Sequence, residues 1–331
     1  MTKAVHPQKG RVSVLILTYP HAQQSAIFGL MDLLNAANDF YQRDRGKGSP
    51  ECVFSVVTRD VDTVSFEQED SCTACTDSVV IIPPCLGHTP KEFASWPHLL
   101  SPWHQKGTLI CSICAGALYL AQTGLLDDRP ATTHWSLEEE FLKRHPEVKL
   151  NIDKLLIDDG DIITAGGLMA WVDLGLRLVE RFMGSATMLT TARFFLVDPG
   201  GREQRYYSSF SPSFGHGDAA ILKAQHWLHK HFNEPLTVPM MANEACLEGR
   251  TFIRRFQAAT RLTPSKYLQQ LRVSKARELM ELSRMNIEEI AWQVGYEDAS
   301  AFRRVFQAIT GLTPRDYRKR FSPLNRIDEV L

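Results

Sequence analysis

The spacing of apolar positions divides the chain in two. From residue 11 to about 195, short apolar runs alternate with amphipathic stretches. Arg11 to Thr18 is a continuous apolar strand, Ser25 to Phe40 repeats its apolar residues with helical period, and Cys52 to Thr58 and Ser78 to Pro83 read again as strands. Residues 108–126, TLICSICAGALYLAQTGLL, carry no charge and predict another strand, Thr108 to Ser112, with a helix from Ala115. Runs apolar on both faces imply a parallel sheet covered by helices on each side. The expectation for residues 11–197 is therefore an α/β parallel-sheet sandwich, with the uncharged stretch at its centre.

Nineteen uncharged residues are long enough to cross a bilayer. Their content argues against it, since Thr108, Ser112, Gln122, Thr123 and two glycines dilute the run, and the flanking Lys106, Asp127, Asp128 and Arg129 are mixed in sign. The early apolar run Val12 to Leu17 is shorter than the core of a signal peptide and no small-residue cleavage site follows it. A cytoplasmic protein without a membrane partner is expected.

Residues 198–217, rich in Gly, Ser and aromatic residues, read as a linker, after which the pattern becomes wholly helical. Phe252-Ile-Arg-Arg-Phe256-Gln-Ala-Ala-Thr-Arg-Leu-Thr-Pro264 returns 50 residues later as Phe302-Arg-Arg-Val-Phe306-Gln-Ala-Ile-Thr-Gly-Leu-Thr-Pro314. Each copy reads as a helix pair. In the second, Asn286 with Glu289 forms a capping signature, Ile287, Ile290, Ala291 and Val294 follow at helical spacing, Gly295 ends that helix, and a second begins near Ser300. In the first, Val238 to Cys246 and Arg250 to Thr260 do the same, with Cys246 in place of the turn glycine and one residue fewer before the phenylalanine. Two short helices around a tight turn make a helix-turn-helix, so 218–321 is expected to be an all-α domain with two of them. With the phenylalanines inward, Arg250, Thr251, Arg254 and Gln257 of the first copy and Ser300, Arg303, Arg304 and Gln307 of the second remain to contact DNA. Thr263 to Glu281 reads as a connecting helix of roughly 28 Å, close to the ~34 Å pitch of the duplex. The alternative is a helical bundle whose arginines are merely solvated.

Charge supports the nucleic-acid reading. Among 331 residues the net charge is −1, yet residues 218–321 hold 17 Lys and Arg against 11 Asp and Glu, a balance of +6 that leaves −7 on the remainder. Seven cysteines, an odd number, read as reduced thiols. The pairs Cys72/Cys75 and Cys111/Cys114 have zinc-like spacing but lie too far apart for a ribbon, and Cys111 falls in a buried strand, so no metal is expected. His226, His229 and His231 do not share one helix face and read as a solvated helix.

At these residues the sequence resembles known families. Ile290-Ala-Trp-Gln-Val-Gly-Tyr296, Ala301-Phe-Arg-Arg-Val-Phe306 and Gly311-Leu-Thr-Pro-Arg-Asp-Tyr-Arg318 resemble the DNA-binding domain of the AraC/XylS family. Ser112-Ile-Cys-Ala-Gly-Ala117, Gly124-Leu-Leu-Asp-Asp-Arg129, Ala131-Thr-Thr-His-Trp135 and Thr164-Ala-Gly-Gly167 resemble the ThiJ/PfpI superfamily, whose fold is flavodoxin-like. The combination resembles the GlxA-type regulators. It implies a transcriptional regulator, usually an activator, that binds promoter DNA and RNA polymerase, senses a small effector for which a nitrogenous metabolite is the expectation, and forms a homodimer.

Cys114 would stand at the strand-to-helix elbow, at the carboxyl end of the sheet where ligands bind, beside helix amides able to stabilise a thiolate or an anion. The expected ligand-binding set is Cys114, Ala115, Gly116, His134, His21 and Ser25, and the candidate catalytic pair is Cys114 with His134. The resemblance implies, for enzymes of the superfamily, an acid from the loop after the first strand and often His or Thr after the cysteine. Here Tyr19 to Ala26 contains no carboxylate and Ala115 follows Cys114, so a sensor without cofactor, and not an enzyme, is expected. Two alternatives stay open: a cysteine-dependent hydratase or amidase with an appended DNA-binding domain, and a redox switch using Cys114 with Cys111.

Overall fold

The computed structural model describes residues 10–44, 52–63, 77–86, 97–200 and 203–323. Cys72 and Cys75 lie outside them. The chain forms two compact units, Met1–Gln204 and Arg205–Leu331.

The first unit has strands β1 (Gly10–Thr18), β2 (Cys52–Asp60), β3 (Asp77–Ile82), β4 (Leu109–Ile113), β5 (Pro130–Ala131), β6 (Lys149–Leu150), β7 (Leu156–Asp158) and β8 (Ile162–Ala165). Its helices are α1 (Gln24–Asp44), α2 (Pro97–Gln105), α3 (Gly116–Ala121), α4 (Glu138–Arg144), α5 (Trp171–Met183) and α6 (Ser185–Phe194). Six strands form one sheet in the order β2-β1-β3-β4-β8-β7, with β5 and β6 paired separately. Neighbours in the large sheet run parallel except β7, an antiparallel edge on β8. Helices α1, α5 and α6 pack together, and α2 and α3 pack on β4. The expected parallel sheet is thus present with an antiparallel edge added, because three residues of β7 suffice to pair with β8 but are too few to show a period.

All of β4 is buried, and so is every residue of α3. The uncharged stretch is a central strand and the short helix behind it, and burial on all sides accounts for the missing charges. No helix among the described residues is long and apolar enough to cross a membrane.

The second unit contains α7 (Ala219–His231), α8 (Val238–Glu244), α9 (Gly249–Thr260), α10 (Pro264–Leu282), α11 (Ile287–Gln293), α12 (Ala299–Thr310) and α13 (Pro314–Phe321). Its repeat is carried by two cores. Phe252, Phe256 and Tyr267 pack with Ile221, Leu228 and Met241, and Phe302, Phe306 and Tyr317 pack with Met280, Ile290 and Val294. Ring centroids in the two aromatic files are 5.3 and 5.2 Å apart in the first and 5.6 and 5.4 Å in the second. Each pair turns at a left-handed residue, Cys246 at φ 54° and Gly295 at φ 86°. The Asn286–Glu289 capping box is present, and Thr263 and Thr313 cap α10 and α13 ahead of Pro264 and Pro314.

The boundary between the units falls within the expected linker, and much of that linker is packed. Arg277 donates to the carbonyls of Arg205 (2.9 Å) and Ser208, Phe210 meets Tyr267 edge-on at 5.0 Å, and Phe214 stacks on His226 at 5.3 Å. His229 hydrogen-bonds Tyr267 and His231 pairs with Glu234, so these histidines brace the helical unit. Among the described residues no group of three potential metal ligands occurs.

Candidate effector pocket and nucleic-acid interface

Cys114 occupies the elbow with φ 54°, a left-handed conformation that a non-glycine residue adopts only when its surroundings enforce it. Its N–H donates to the Ala165 carbonyl at 2.7 Å, and its own carbonyl accepts from Thr133 Oγ1 at 2.8 Å. Gly116 permits the next step: a Cβ there would lie 2.7 and 2.9 Å from the carbonyl oxygens of Ile82 and Pro83. Only glycine lets the elbow press against the end of β3.

Burial decides the chemistry of the thiol. Cys114 is 4% exposed, and burial pushes its pKa up to about 12; the Ala115 N–H pulls it down weakly and nearby Cys85 raises it. The helix terminus does little for the thiol, because α3 is only six residues long and the Ala115 amide does not offset desolvation. His134 caps the 3-10 turn Trp135–Leu137, accepting from Ser136 N, with its Nδ1 2.7 Å from Ser136 Oγ. Burial alone lowers its pKa, and it is not among the groups that shift Cys114. Cys111 is wholly buried; burial raises its pKa, Arg181 lowers it and Asp158 raises it.

What stands beside Cys114 is a cluster absent from the sequence reading. The Tyr19 hydroxyl donates to the Pro83 carbonyl, Tyr19 meets Tyr119 edge-on at 5.0 Å, and Cys85 with Cys114 adds to the burial that raises the Tyr19 pKa. Gln23 N donates to Pro84 O and Leu86 N to His21 O, tying the loop after β1 to the loop after β3. His21, at φ 67° on that loop, and Ser25, in the first turn of α1, are exposed, whereas Ala115 and Gly116 are buried. Phe28, Leu86, Leu168 and Met169 are exposed apolar residues on segments leaving the carboxyl ends of β1, β3 and β8. A cavity of about 420 Å³ lies elsewhere in this unit, lined by Lys154, Leu156, Asp173, Arg177, Glu180 and Glu203 among others.

Gln204 was also not foreseen. It is 2% exposed, its Nε2 donates to Thr133 O at 2.8 Å and Thr132 Oγ1 at 3.0 Å, and its Oε1 accepts from Trp135 N at 3.2 Å. It buttresses the loop whose Thr133 holds the elbow. Its position in a Gly-rich stretch gave no sign of this.

In the helical unit, Arg250, Arg254 and Gln257 on α9 and Ser300, Arg303, Arg304 and Gln307 on α12 are all exposed, while Thr251 is half-buried. Arg303 is ion-paired with Glu288 of α11, both side chains remaining exposed. Ile253, 40% exposed, shares the outer face of α9. The 50-residue offset of the repeat equates it with Arg303.

The chain joins a DJ-1/PfpI domain to an AraC-type helix-turn-helix domain, the class that this fold and these repeats define. The DJ-1/PfpI family matches residues 56–181 and a helix-turn-helix domain family matches 241–320. The chain is similar to the HTH-type transcriptional regulator ArgR of Pseudomonas aeruginosa, with 28% identity covering 72% of this chain and 69% of that protein. It is likewise similar to CdhR of the same organism, with 26% identity covering 65% and 64%, and to GlxA of Rhizobium meliloti, with 26% identity covering 71% and 74%.

Proposed function

We propose that the DJ-1/PfpI domain of this transcriptional regulator binds a small nitrogenous metabolite and thereby sets the activity of the helix-turn-helix domain at promoter DNA, as an activator that contacts RNA polymerase. The observation that carries the DNA reading is the exposure of Arg and Gln in the same register on α9 and α12 over two equivalent aromatic cores. The protein acts in the cytoplasm and as a homodimer. The elbow senses and does not catalyse: a buried, protonated thiol lacks nucleophilic character, and the loop from Tyr19 to Ala26 offers no carboxylate. The redox alternative, in which Cys111 answers Cys114, is disfavoured because burial pushes both thiols up and leaves neither as a thiolate near neutral pH.

The effector site we favour lies over the carboxyl ends of the strands, with His21, Ser25 and His134 at its rim and Cys114, Ala115 and Gly116 beneath. The 420 Å³ cavity favours a second reading, although its Arg177 is already paired with Glu180 and Asp158. Thermal shift of the full chain against amino acids, amines and quaternary ammonium compounds tests both. A stabilising compound whose effect is lost in His21→Ala supports the rim, and loss in Arg177→Ala instead moves the site to the cavity. A panel with no effect on melting or on reporter transcription overturns the sensor reading.

A further inference from the structure

The two outer helices are copies in more than sequence. Both α9 and α12 span 12 residues, end in a left-handed residue (Arg261 at φ 59°, Gly311 at φ 76°) and pack Phe-Phe-Tyr files of matching geometry. Positions 250, 253, 254, 257 and 258 of α9 therefore face out as 300, 303, 304, 307 and 308 do in α12, and all ten are exposed. Three of the five are identical: Arg254 with Arg304, Gln257 with Gln307, and Ala258 with Ala308.

Resting on the reading of these helices as DNA-contacting, we propose that they recognise one and the same core of bases in two successive half-sites. Arg254 and Arg304 match the O6 and N7 acceptors of guanine, Gln257 and Gln307 match the N6 and N7 of adenine, and the Ala258 and Ala308 methyls suit a thymine methyl. The remaining two positions make the flanks differ. Ile253 has no polar group to offer a base edge, and the thymine methyl is its one apolar partner in the major groove. At the equivalent place Arg303 presents a guanidinium braced by Glu288. The corresponding position of α8, 49 residues earlier, is Pro239, so only the second copy has this brace. Arg250 against Ser300 is the other difference.

The test is selection by the full chain from duplex DNA in which two half-sites, about 10 base pairs apart centre to centre, are both randomised. A common core enriched in both, with thymine preferred at one flank and guanine at the other, is the expected result. A chain carrying Ile253→Arg together with Arg303→Ile should exchange the flank preferences and keep the core, a wrong flanking base costing roughly 5- to 150-fold in affinity. Both residues are exposed, and an unchanged melting curve confirms the fold. Unrelated cores in the two half-sites, or unchanged flanks after the exchange, overturn the shared code while leaving DNA binding intact. Folded wild type that enriches nothing overturns the DNA reading on which it rests.

Discussion

Replacing Gly116 by alanine tests whether the elbow is seated as described. The new methyl would lie 2.7 Å from Ile82 O, 2.9 Å from Pro83 O and 3.1 Å from Ile82 Cγ2. Two of these atoms are backbone, so no side chain can swing aside, and either the end of β3 or the start of α3 must move by roughly half an ångström to reach ordinary contact. Overpacking of this kind costs ~1 to 3 kcal/mol. The helix preference of alanine over glycine returns at most ~1 kcal/mol, and less in a first turn. The net is a destabilisation of about 1 to 2 kcal/mol, which for a unit of this size lowers the melting temperature by roughly 2 to 8 °C. Scanning calorimetry of the full chain reads it in the transition of the Met1–Gln204 unit. DNA affinity, measured well below that transition, should not change. An unchanged or raised melting temperature refutes the packing of Gly116 on β3.

The raised Cys114 pKa predicts slow alkylation by iodoacetamide in the native protein: with a value of about 12, only about one thiol in 10⁴ is ionised at pH 8. Peptide mapping should find exposed Cys246 labelled well before Cys114, and equal rates for these two would refute the burial argument. Because the unfolded thiol ionises near pH 9 and the folded one near 12, the folded state holds the extra proton between them, so stability falls as pH rises through that window. Cys114→Ser should reduce this fall in alkaline denaturation curves, and an unaltered fall would assign it to other groups. Phe256→Ala and Phe306→Ala each empty a fully buried site and should cost ~3 to 5 kcal/mol in chemical denaturation. Losses below ~1 kcal/mol would contradict the two-core description.

What could be read in advance follows from how local each signal is. The two helix-turn-helix pairs were legible because a 50-residue repeat fixes which residues are buried: Phe252, Phe256, Phe302 and Phe306 emerge with no exposure. The sheet was legible because strands apolar on both faces admit few other placements. The cluster of Tyr19, Cys85, Tyr119 and Cys114 was not, because three segments distant in sequence supply it and no spacing records their meeting. The same holds for Gln204, whose partners lie 50 to 72 residues away. Arg303 was assigned to the outer face correctly as to exposure, but a helical wheel is blind to the neighbouring helix that supplies Glu288. The position of Cys114 at the elbow was legible, but its protonation was not, since burial pushes the thiol pKa up and a helix of six residues contributes little against it.

The central claim is that one chain applies two recognition helices to one face of DNA, spaced by α10, whose 19 residues span about 28 Å. Hydroxyl-radical footprinting of the full chain on the DNA it selects measures this directly. Two protected patches about one helical turn apart on the same face are predicted, with Arg254→Ala weakening one patch and Arg304→Ala the other. A single patch, or the same footprint lost in both variants, would contradict the account.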